Sequence, residues 1–304
     1  MINHAYYFLL VASLFWSLNP IAGKFALEEI AAPQLAFSRV FMSALLLFVA
    51  SYFRVKSYRL KEIGWRPFVL GLIDPGITSL LFVTSLTVLS ASNTVIVMGL
   101  MPFSQSIMGR IVFQEDFQLS VWMGAILALI GIAVFFSGEE LNGAESIWGN
   151  LLLLMVFCLM VVSQLLTRKI MKSDVPAIQV TASQMISATV IIFAYLLLFG
   201  NLELPAHIST ETKLTFIYLA FSMSIPFFFY NRAMRQIPVG MASLFLVLII
   251  PFGFFHAAVF LGEQITWIKS ISAVLVMTGV AIPHLPQVRR ILLRTEKITA
   301  TENE

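Results

Sequence analysis

The sequence predicts an all-α, polytopic membrane protein in which ten transmembrane helices form two inverted five-helix repeats. One observation is composition, since 59% of the 304 residues are hydrophobic and only 12% are charged, whereas a soluble domain has about 45–50% apolar and about 25% charged residues. A second is a succession of apolar runs, each close to the roughly 20 residues of a helix that crosses a bilayer. A third is a charge difference between alternate loops that continues along the chain.

The apolar runs are separated by charged residues and turn signals, and ten of them are present. They lie at about 5–25, 33–53, 67–88, 92–112, 119–137, 148–167, 177–199, 214–234, 240–261 and 268–286. The connections are short, so no soluble domain is predicted between these spans. We expect a first five-span unit at 1–138, a second at 147–286 and a cytoplasmic tail at 287–304.

Basic residues orient the spans, because cytoplasmic loops are enriched in Lys and Arg. Fifteen of the 19 basic residues fall in one set of loops and the tail, whereas the opposite set holds only Lys24, Lys213 and Lys269. The remaining one, Arg39, falls inside span 2. We therefore expect a multi-pass protein of the cell (inner) membrane with both termini in the cytoplasm. The basic residues behind the net charge of +3 lie in these loops. We therefore predict that the protein lies in a lipid bilayer and does not bind nucleic acid.

The sequence gives no support for catalysis. It has four His residues and lacks the His-Glu-x-x-His, Gly-x-Ser-x-Gly and P-loop motifs, which would indicate metal hydrolysis, serine hydrolysis and nucleotide binding. No segment resembles a channel filter. We predict a protein that is not an enzyme, that uses no cofactor or metal, and whose partner is a small-molecule substrate.

A weak internal repeat relates the two halves. PFSQSIMGRIVFQE (102–115) is similar to PFGFFHAAVFLGE (251–263), and Gly131 and Gly279 follow the two glutamates at the same distance. At another common offset, Asn19 corresponds to Gln164 and Arg39 to Gln184. Because five is an odd number, the second copy of a five-span unit inserts upside down, as in many secondary transporters.

Four stretches carry a resemblance to a known family. They are WSLNPIAGKF (16–25), Pro33 to Arg39 at the start of span 2, FFYNRAMRQIPVGMASLF (228–245) and Pro251 with LGEQIT (261–266). In this order and spacing they resemble the EamA-type members of the drug/metabolite transporter superfamily. The resemblance implies ten helices in inverted repeats and movement of small metabolites, commonly export. FQED (113–116) departs from the family's Leu-Gly-Glu, and Asp74-Pro75 is not a family signature.

Proline residues interrupt several spans. Pro20 removes a helical hydrogen bond from the carbonyl of Trp16, and in lipid such a break is tolerated only against protein or a wet cavity. Further prolines fall in two pairs of spans that correspond across the repeat, Pro75 and Pro226 in spans 3 and 8, Pro102 and Pro251 in spans 4 and 9. Paired interruptions predict a transport site near the midplane, enclosed by spans 1, 3, 4, 6, 8 and 9. The alternative is that these prolines only shape helix packing.

Uncharged polar and aromatic side chains inside the spans are the predicted solute contacts. These are Trp16, Asn19, Gln105, Gln164, Gln184, Tyr230 and Asn231. An aromatic wall with a few amides suits a neutral or zwitterionic organic molecule better than a phosphate, which usually requires clustered Arg and Lys.

Charged side chains inside spans are functional hypotheses by default. Arg39 either binds substrate or extends to the outer interface. Asp74 is either a proton carrier that couples transport to a pH gradient or the partner of Arg232 in an ion pair between spans 3 and 8. His256 either carries a proton or packs with a hydrogen bond.

Two further features have structural alternatives. Gly124, Ala128 and Gly131 form a small-residue stripe on span 5, which suits tight packing within the chain or a homodimer through span 5 or span 10. Glu115 and Glu263, at the ends of spans 4 and 9, are expected to cap helices or pair in loops rather than to contact substrate.

These observations predict a secondary-active transporter that works by alternating access and exports amino-acid-like or other neutral or zwitterionic metabolites. The alternative is a membrane scaffold or receptor that transports nothing, in which repeated broken helices would have no evident purpose.

Overall fold

The structure is a computed structural model that describes residues 4–55, 63–89, 94–115, 119–137, 147–200, 207–261 and 266–285. Throughout these ranges the regular structure is helical and contains no strand. The helices are α1 (His4–Ser17), α2 (Asn19–Leu27), α3 (Ala32–Val55), α4 (Arg66–Gly71), α5 (Thr78–Val88), α6 (Thr94–Phe113), α7 (Leu119–Ser137), α8 (Ile147–Met171), α9 (Ala177–Phe199), α10 (Thr210–Ala233), α11 (Val239–Leu246), α12 (Ile249–Leu261) and α13 (Trp267–Ala281). A π-helical segment (Leu72–Ile77) joins α4 to α5, and a 3₁₀ turn (Ile282–His284) follows α13.

Each of the ten predicted spans corresponds to one helix or to two helices joined across a break. Seven of these units are long and apolar enough to cross a membrane, and two shorter apolar helices lie at Leu119–Val134 and Trp267–Ala281. The chain is therefore an all-helical, multi-pass membrane protein. The exact number of ten crossings stays a prediction.

Three of the predicted interruptions are present. Span 1 breaks at Leu18 between α1 and α2. Span 9 breaks at residues 247–248, between α11 and α12 and a few residues before Pro251. Span 3 contains the π-helical segment, inside which Asp74 has extended backbone angles (φ −141°, ψ 116°). The other two predictions were wrong, because Pro102 and Pro226 lie inside the continuous helices α6 and α10. A proline removes one backbone hydrogen bond, and neighbouring helices allow a membrane helix to continue past that loss.

The packing joins the two halves of the chain helix by helix. Span 1 packs on span 8 and span 6 on span 3, while spans 2 and 7, spans 4 and 9, and spans 5 and 10 pack on one another. In the repeat, span 1 corresponds to span 6 and span 8 corresponds to span 3. The contact between spans 1 and 8 is therefore equivalent to the contact between spans 6 and 3. Both contacts are present, so the two halves share one core instead of folding side by side.

Glycine allows the close contact between α7 and α13. A Cβ atom built on Gly124 would lie 2.3 Å from the carbonyl oxygen of Gly279, and one on Gly131 would lie 3.0 Å from that of Ser272. Gly131 and Gly279 correspond in the repeat, and so do Gly124 and Ser272. The pairs Gly124–Gly279 and Gly131–Ser272 are therefore equivalent contacts in the two halves. The small-residue stripe is thus used for packing inside the chain, and a homodimer would have to use other faces of spans 5 and 10.

Candidate functional site

The break in span 1 is held against α10. Leu18 separates α1 from α2, and the hydroxyl of Tyr218 donates to the carbonyl of Phe15 in the last turn before the break. On the other side, Ser222 Oγ donates to Asn19 Oδ1 across 2.6 Å. Exposed polar backbone is expensive in lipid, and the Tyr218 bond gives one backbone carbonyl beside the break a partner, while the Ser222 bond fixes the Asn19 side chain. Asn19 is buried, and its Oδ1 is used in this hydrogen bond with Ser222.

An aromatic cluster borders the same break. The ring of Trp16 lies edge-on to Phe227, with centroids 5.2 Å apart, and 5.8 Å from the ring of Tyr230. Tyr230 is 4% exposed, and its hydroxyl has no hydrogen-bond partner among the described residues. A buried hydroxyl usually finds a partner, so this oxygen is available to a ligand.

The irregular turn of span 3 carries the only acidic side chain that lies deep in a described span. Thr78 Oγ1 donates to one carboxylate oxygen of Asp74 (2.7 Å), and Ser163 Oγ on α8 donates to the other (2.6 Å). Asp74 therefore connects spans 3 and 6.

The alternative ion pair between Asp74 and Arg232 is not formed. The exposed guanidinium of Arg232 lies 4.9 Å from the ring centroid of Phe8 instead. Arg232 is on the last turn of α10, where it reaches α1 and not the centre of span 3. The hydroxyls of Thr78 and Ser163 occupy the position that the arginine was expected to take.

Two buried glutamine side chains lie on the neighbouring helices α6 and α8. Gln105 on α6 is fully buried and donates from Nε2 to the carbonyl of Val161 (3.2 Å), while its Oε1 has no partner among the described residues. Gln164 on α8 is 3% exposed, and its Oε1 is likewise without a partner. Gln164 directly follows Ser163, so it belongs to the same part of α8 as the Asp74 contact.

Gln184 and Asn231 form a separate cluster between α9 and α10. Asn231 Nδ2 donates to Gln184 Oε1 (2.5 Å) and to Thr181 Oγ1 (2.9 Å). Asn231 Oδ1 has no partner among the described residues. These bonds lock two helices together, so this pair is better suited to holding the site than to binding solute.

The remaining two candidates lie on the periphery of this arrangement. His256 on α12 is hydrogen-bonded through Nδ1 to Ser17 Oγ (2.9 Å), next to the break in span 1. Arg39 on α3 is buried against Met223 of α10, with 2.7 Å between Nη2 and Sδ. Neither side chain contacts Asp74, Gln164 or Tyr230 through a hydrogen bond.

Sequence reasoning missed the hydroxyl partners. Ser163, Thr78, Ser222 and Tyr218 hold Asp74 and the break in span 1, yet isolated serine and threonine residues are common in membrane helices. One local signal was available: Thr78 follows Asp74 at the i+4 spacing that brings two side chains together on a helix. The other partners are separated from their targets by 89 to 203 residues, and no local pattern identifies them.

A polar clasp closes one end of the same helices. Glu115 after α6 forms an ion pair with Arg168 on α8 (3.2 Å) and accepts from the backbone N–H of Val239 at the start of α11 (3.2 Å). Arg168 also donates to the carbonyl of Met234. The expectation that Glu115 pairs or caps a helix is confirmed, whereas Glu263 lies outside the described residues. Across the described ranges no group of three His, Cys, Asp or Glu side chains is arranged to hold a metal ion.

Comparison with known proteins gives a consistent family assignment. A family model described as the EamA-like transporter family matches residues 3–137 and again 147–283. The uncharacterized transporter YyaM of Bacillus subtilis is 23% identical over 262 residues, which are 85% of this chain and 84% of that protein. An uncharacterized transporter of Methanothermobacter thermautotrophicus is 25% identical over 218 residues, 69% of this chain and 62% of that protein. A crystal structure titled only as that of a protein superposes with a TM-score of 0.79 at 17% identity, over 94% of this chain and 99% of that chain.

Proposed function

Since this chain belongs to the EamA-like transporter family, we propose that it is a secondary-active transporter that carries small neutral or zwitterionic organic solutes by alternating access. Its relatives are named as transporters, which favours transport over a scaffold or receptor role. The proposal extends the family assignment to a solute class, a site and a mechanism.

One observation carries the proposal most directly. The Tyr230 hydroxyl and the amide oxygens of Gln164 and Gln105 are buried and have no partner among the described residues. Leaving a buried polar group unsatisfied costs about 1–3 kcal/mol, so such groups persist where a ligand satisfies them. Trp16 adds an aromatic face beside Tyr230, which suits an organic solute with apolar surface.

The breaks supply the parts that alternating access requires. Spans 1, 3 and 9 are each divided, and each contacts a helix of the other half of the chain. Short helices on the two sides of a break move more independently than one continuous helix, so opening on one face need not open the other. Export is the direction we propose, following the family resemblance.

Asp74 is the proposed coupling residue. Its carboxylate is held by two neutral hydroxyls and by no basic side chain of the described residues. A carboxylate that lacks a permanent cation is free to gain and lose a proton as its surroundings change. Protonation in one facing state and release in the other would link solute movement to a pH gradient.

The site is tested by removing single polar atoms. In proteoliposomes loaded with an extract of cell metabolites, Tyr230→Phe and Gln164→Ala should lower exchange at least tenfold, and the amount of folded protein should be unchanged. Gln236→Ala, an exposed glutamine beyond the end of α10, is the matched control and should exchange like the wild type. Normal exchange in both site variants would reject this site, and absence of any saturable exchange by the wild type would reject transport.

A further inference from the structure

Arg39 is a buried cation without an anion. The side chain is 3% exposed, and its Nη2 donates to the sulfur of Met223 at 2.7 Å, while Nε and Nη1 have no partner among the described residues. Thioether sulfur is a weak acceptor, and a guanidinium stays protonated in proteins. Buried charges are normally paired, because leaving one unpaired is strongly destabilising.

No acidic residue of the described chain fills this role. Three acidic residues have other partners: Asp74 accepts from Thr78 and Ser163, Glu115 pairs with Arg168, and Glu29 accepts from the Ser209 backbone. None of the described Asp or Glu side chains lies within ion-pair distance of Arg39. Among the described residues, Nε and Nη1 of this buried guanidinium thus have no acceptor, and Nη2 has only the weak thioether acceptor of Met223.

The position of Arg39 connects it to the proposed solute site. Met223 directly follows Ser222, which anchors Asn19, and Tyr218, about one turn earlier on α10, donates its hydroxyl to the carbonyl of Phe15. The same stretch of α10 therefore holds both the broken turn of span 1 and the free guanidinium.

We propose that Arg39 binds the carboxylate of the transported solute. A planar guanidinium matches a carboxylate in a two-bond geometry, and a single arginine without clustered basic residues suits one negative charge better than a phosphate. The inference rests on the proposed function and narrows its solutes to those that carry a carboxylate, such as zwitterions. Because the guanidinium is enclosed, the solute reaches it in a state in which α3 and α10 separate.

The test compares metabolites in cells that carry no transporter, the wild type, Arg39→Met, Arg39→Lys or Arg110→Met. Methionine keeps much of the apolar bulk, and Arg110 is an exposed arginine on α6 that serves as the matched control. We expect every solute that the wild type exports to carry a carboxylate, and its export to fall roughly tenfold to a hundredfold in Arg39→Met, as for the loss of a charge-assisted hydrogen bond. Arg110→Met should export normally and Arg39→Lys should retain part of the activity.

A second measurement covers the case in which Arg39→Met does not fold. For each exported solute, its amide is offered to the wild type in proteoliposomes, and the inference requires that the amide competes at least tenfold less well. Exported solutes without a carboxylate, equal competition by the amide, or normal export by folded Arg39→Met would each overturn the inference while leaving transport established. Equal activity with chloride replaced by methanesulfonate, an anion without a carboxylate, is also required, because dependence on chloride would assign Arg39 to a resident anion. If the wild type exports nothing, the proposed function itself fails.

Discussion

The hydroxyl of Ser163 donates to the carboxylate of Asp74 across 2.6 Å and so joins α8, in the second half of the chain, to the irregular turn of span 3 in the first half. The two residues are 89 positions apart. The carboxylate lies at the one described place where an acidic side chain and non-helical backbone coincide inside a span. A change of protonation at Asp74 would therefore alter a contact between the two halves.

Asp74→Asn tests the coupling role. Asparagine can still accept from Ser163 but cannot carry a proton, so solute exchange between equilibrated compartments should persist while accumulation driven by a pH gradient is lost. Both are measured in the same proteoliposomes. Ser163→Ala keeps the carboxylate and should retain gradient-driven accumulation at a reduced rate. Unchanged gradient-driven accumulation in Asp74→Asn would exclude Asp74 as the carrier and leave uncoupled exchange or another carrier.

Tyr218 and Tyr230 form a matched pair that separates folding from transport. Tyr218→Phe removes the donor to the Phe15 carbonyl and should lower stability by about 1–3 kcal/mol, the cost of an unsatisfied buried acceptor. Tyr230→Phe removes a buried hydroxyl without a described partner and should leave stability unchanged or raise it by up to about 1–3 kcal/mol, the cost of the unsatisfied group. Thermal unfolding of the two purified variants gives the comparison. The reverse order of stabilities would contradict the roles given to both hydroxyls.

The clasp at Glu115 is expected to contribute stability. The Arg168 and Glu115 side chains are only 10% and 14% exposed, and removing one partner of a largely buried pair costs about 3 kcal/mol. Glu115→Ala should show this loss in denaturant or thermal unfolding, and so should Arg168→Gln. Lys169→Gln, on the exposed side of the same turn, is the control and should be neutral. Additive losses in the double variant would show that the two side chains do not act as a pair.

Gly124→Ala and Gly253→Ala add the same methyl group, but the space available for it differs between the two positions. The new Cβ at Gly124 would lie 2.3 Å from the Gly279 carbonyl oxygen, whereas at Gly253 the nearest neighbour is the Ser17 carbonyl oxygen at 3.8 Å. Gly124→Ala should destabilise by about 1–3 kcal/mol through overpacking. Gly253→Ala should be neutral or stabilising by up to about 1 kcal/mol, because alanine favours the helix. Thermal unfolding decides, and a tolerated Gly124→Ala would show that α7 and α13 do not pack this closely.

Orientation is tested with single cysteines in a Cys158→Ser background, since Cys158 is exposed and unpaired. The sequence points to Asn142 and Ser209 as outside positions, but Asn142 lies outside the described residues and Ser209 caps α10. His207 is exposed beside it, and His207→Cys should react with an impermeant thiol reagent added to intact cells. Asp174→Cys, exposed between α8 and α9, should react only after the membrane is opened. The opposite labelling would reverse the predicted topology.

The helix breaks show how far local sequence predicts this fold. Proline always removes a hydrogen bond, and Pro20 and Pro75 indeed mark divided spans. Pro102 and Pro226 cause the same chemical loss, yet α6 and α10 continue. At span 1, Tyr218 and Ser222 of another helix bond Phe15 and Asn19 on the two sides of the break. Such partners cannot be identified from the residues around the proline.

Composition, apolar spacing and charge alternation by themselves determined that this chain is an all-helical membrane protein, because burial in lipid imposes a local constraint on every stretch of about 20 residues. The internal sequence repeat indicated two related halves. These patterns also showed that Gly124 and Gly131 form a small-residue stripe and that Asp74 and Arg39 are charges inside spans. Only the tertiary structure decided that the stripe packs on α13, that Asp74 bonds Ser163 in place of Arg232, and that Arg39 has no anion. A side chain's partner depends on which distant helix lies within about 3 Å of it, and that distance is set by the packing of the whole chain.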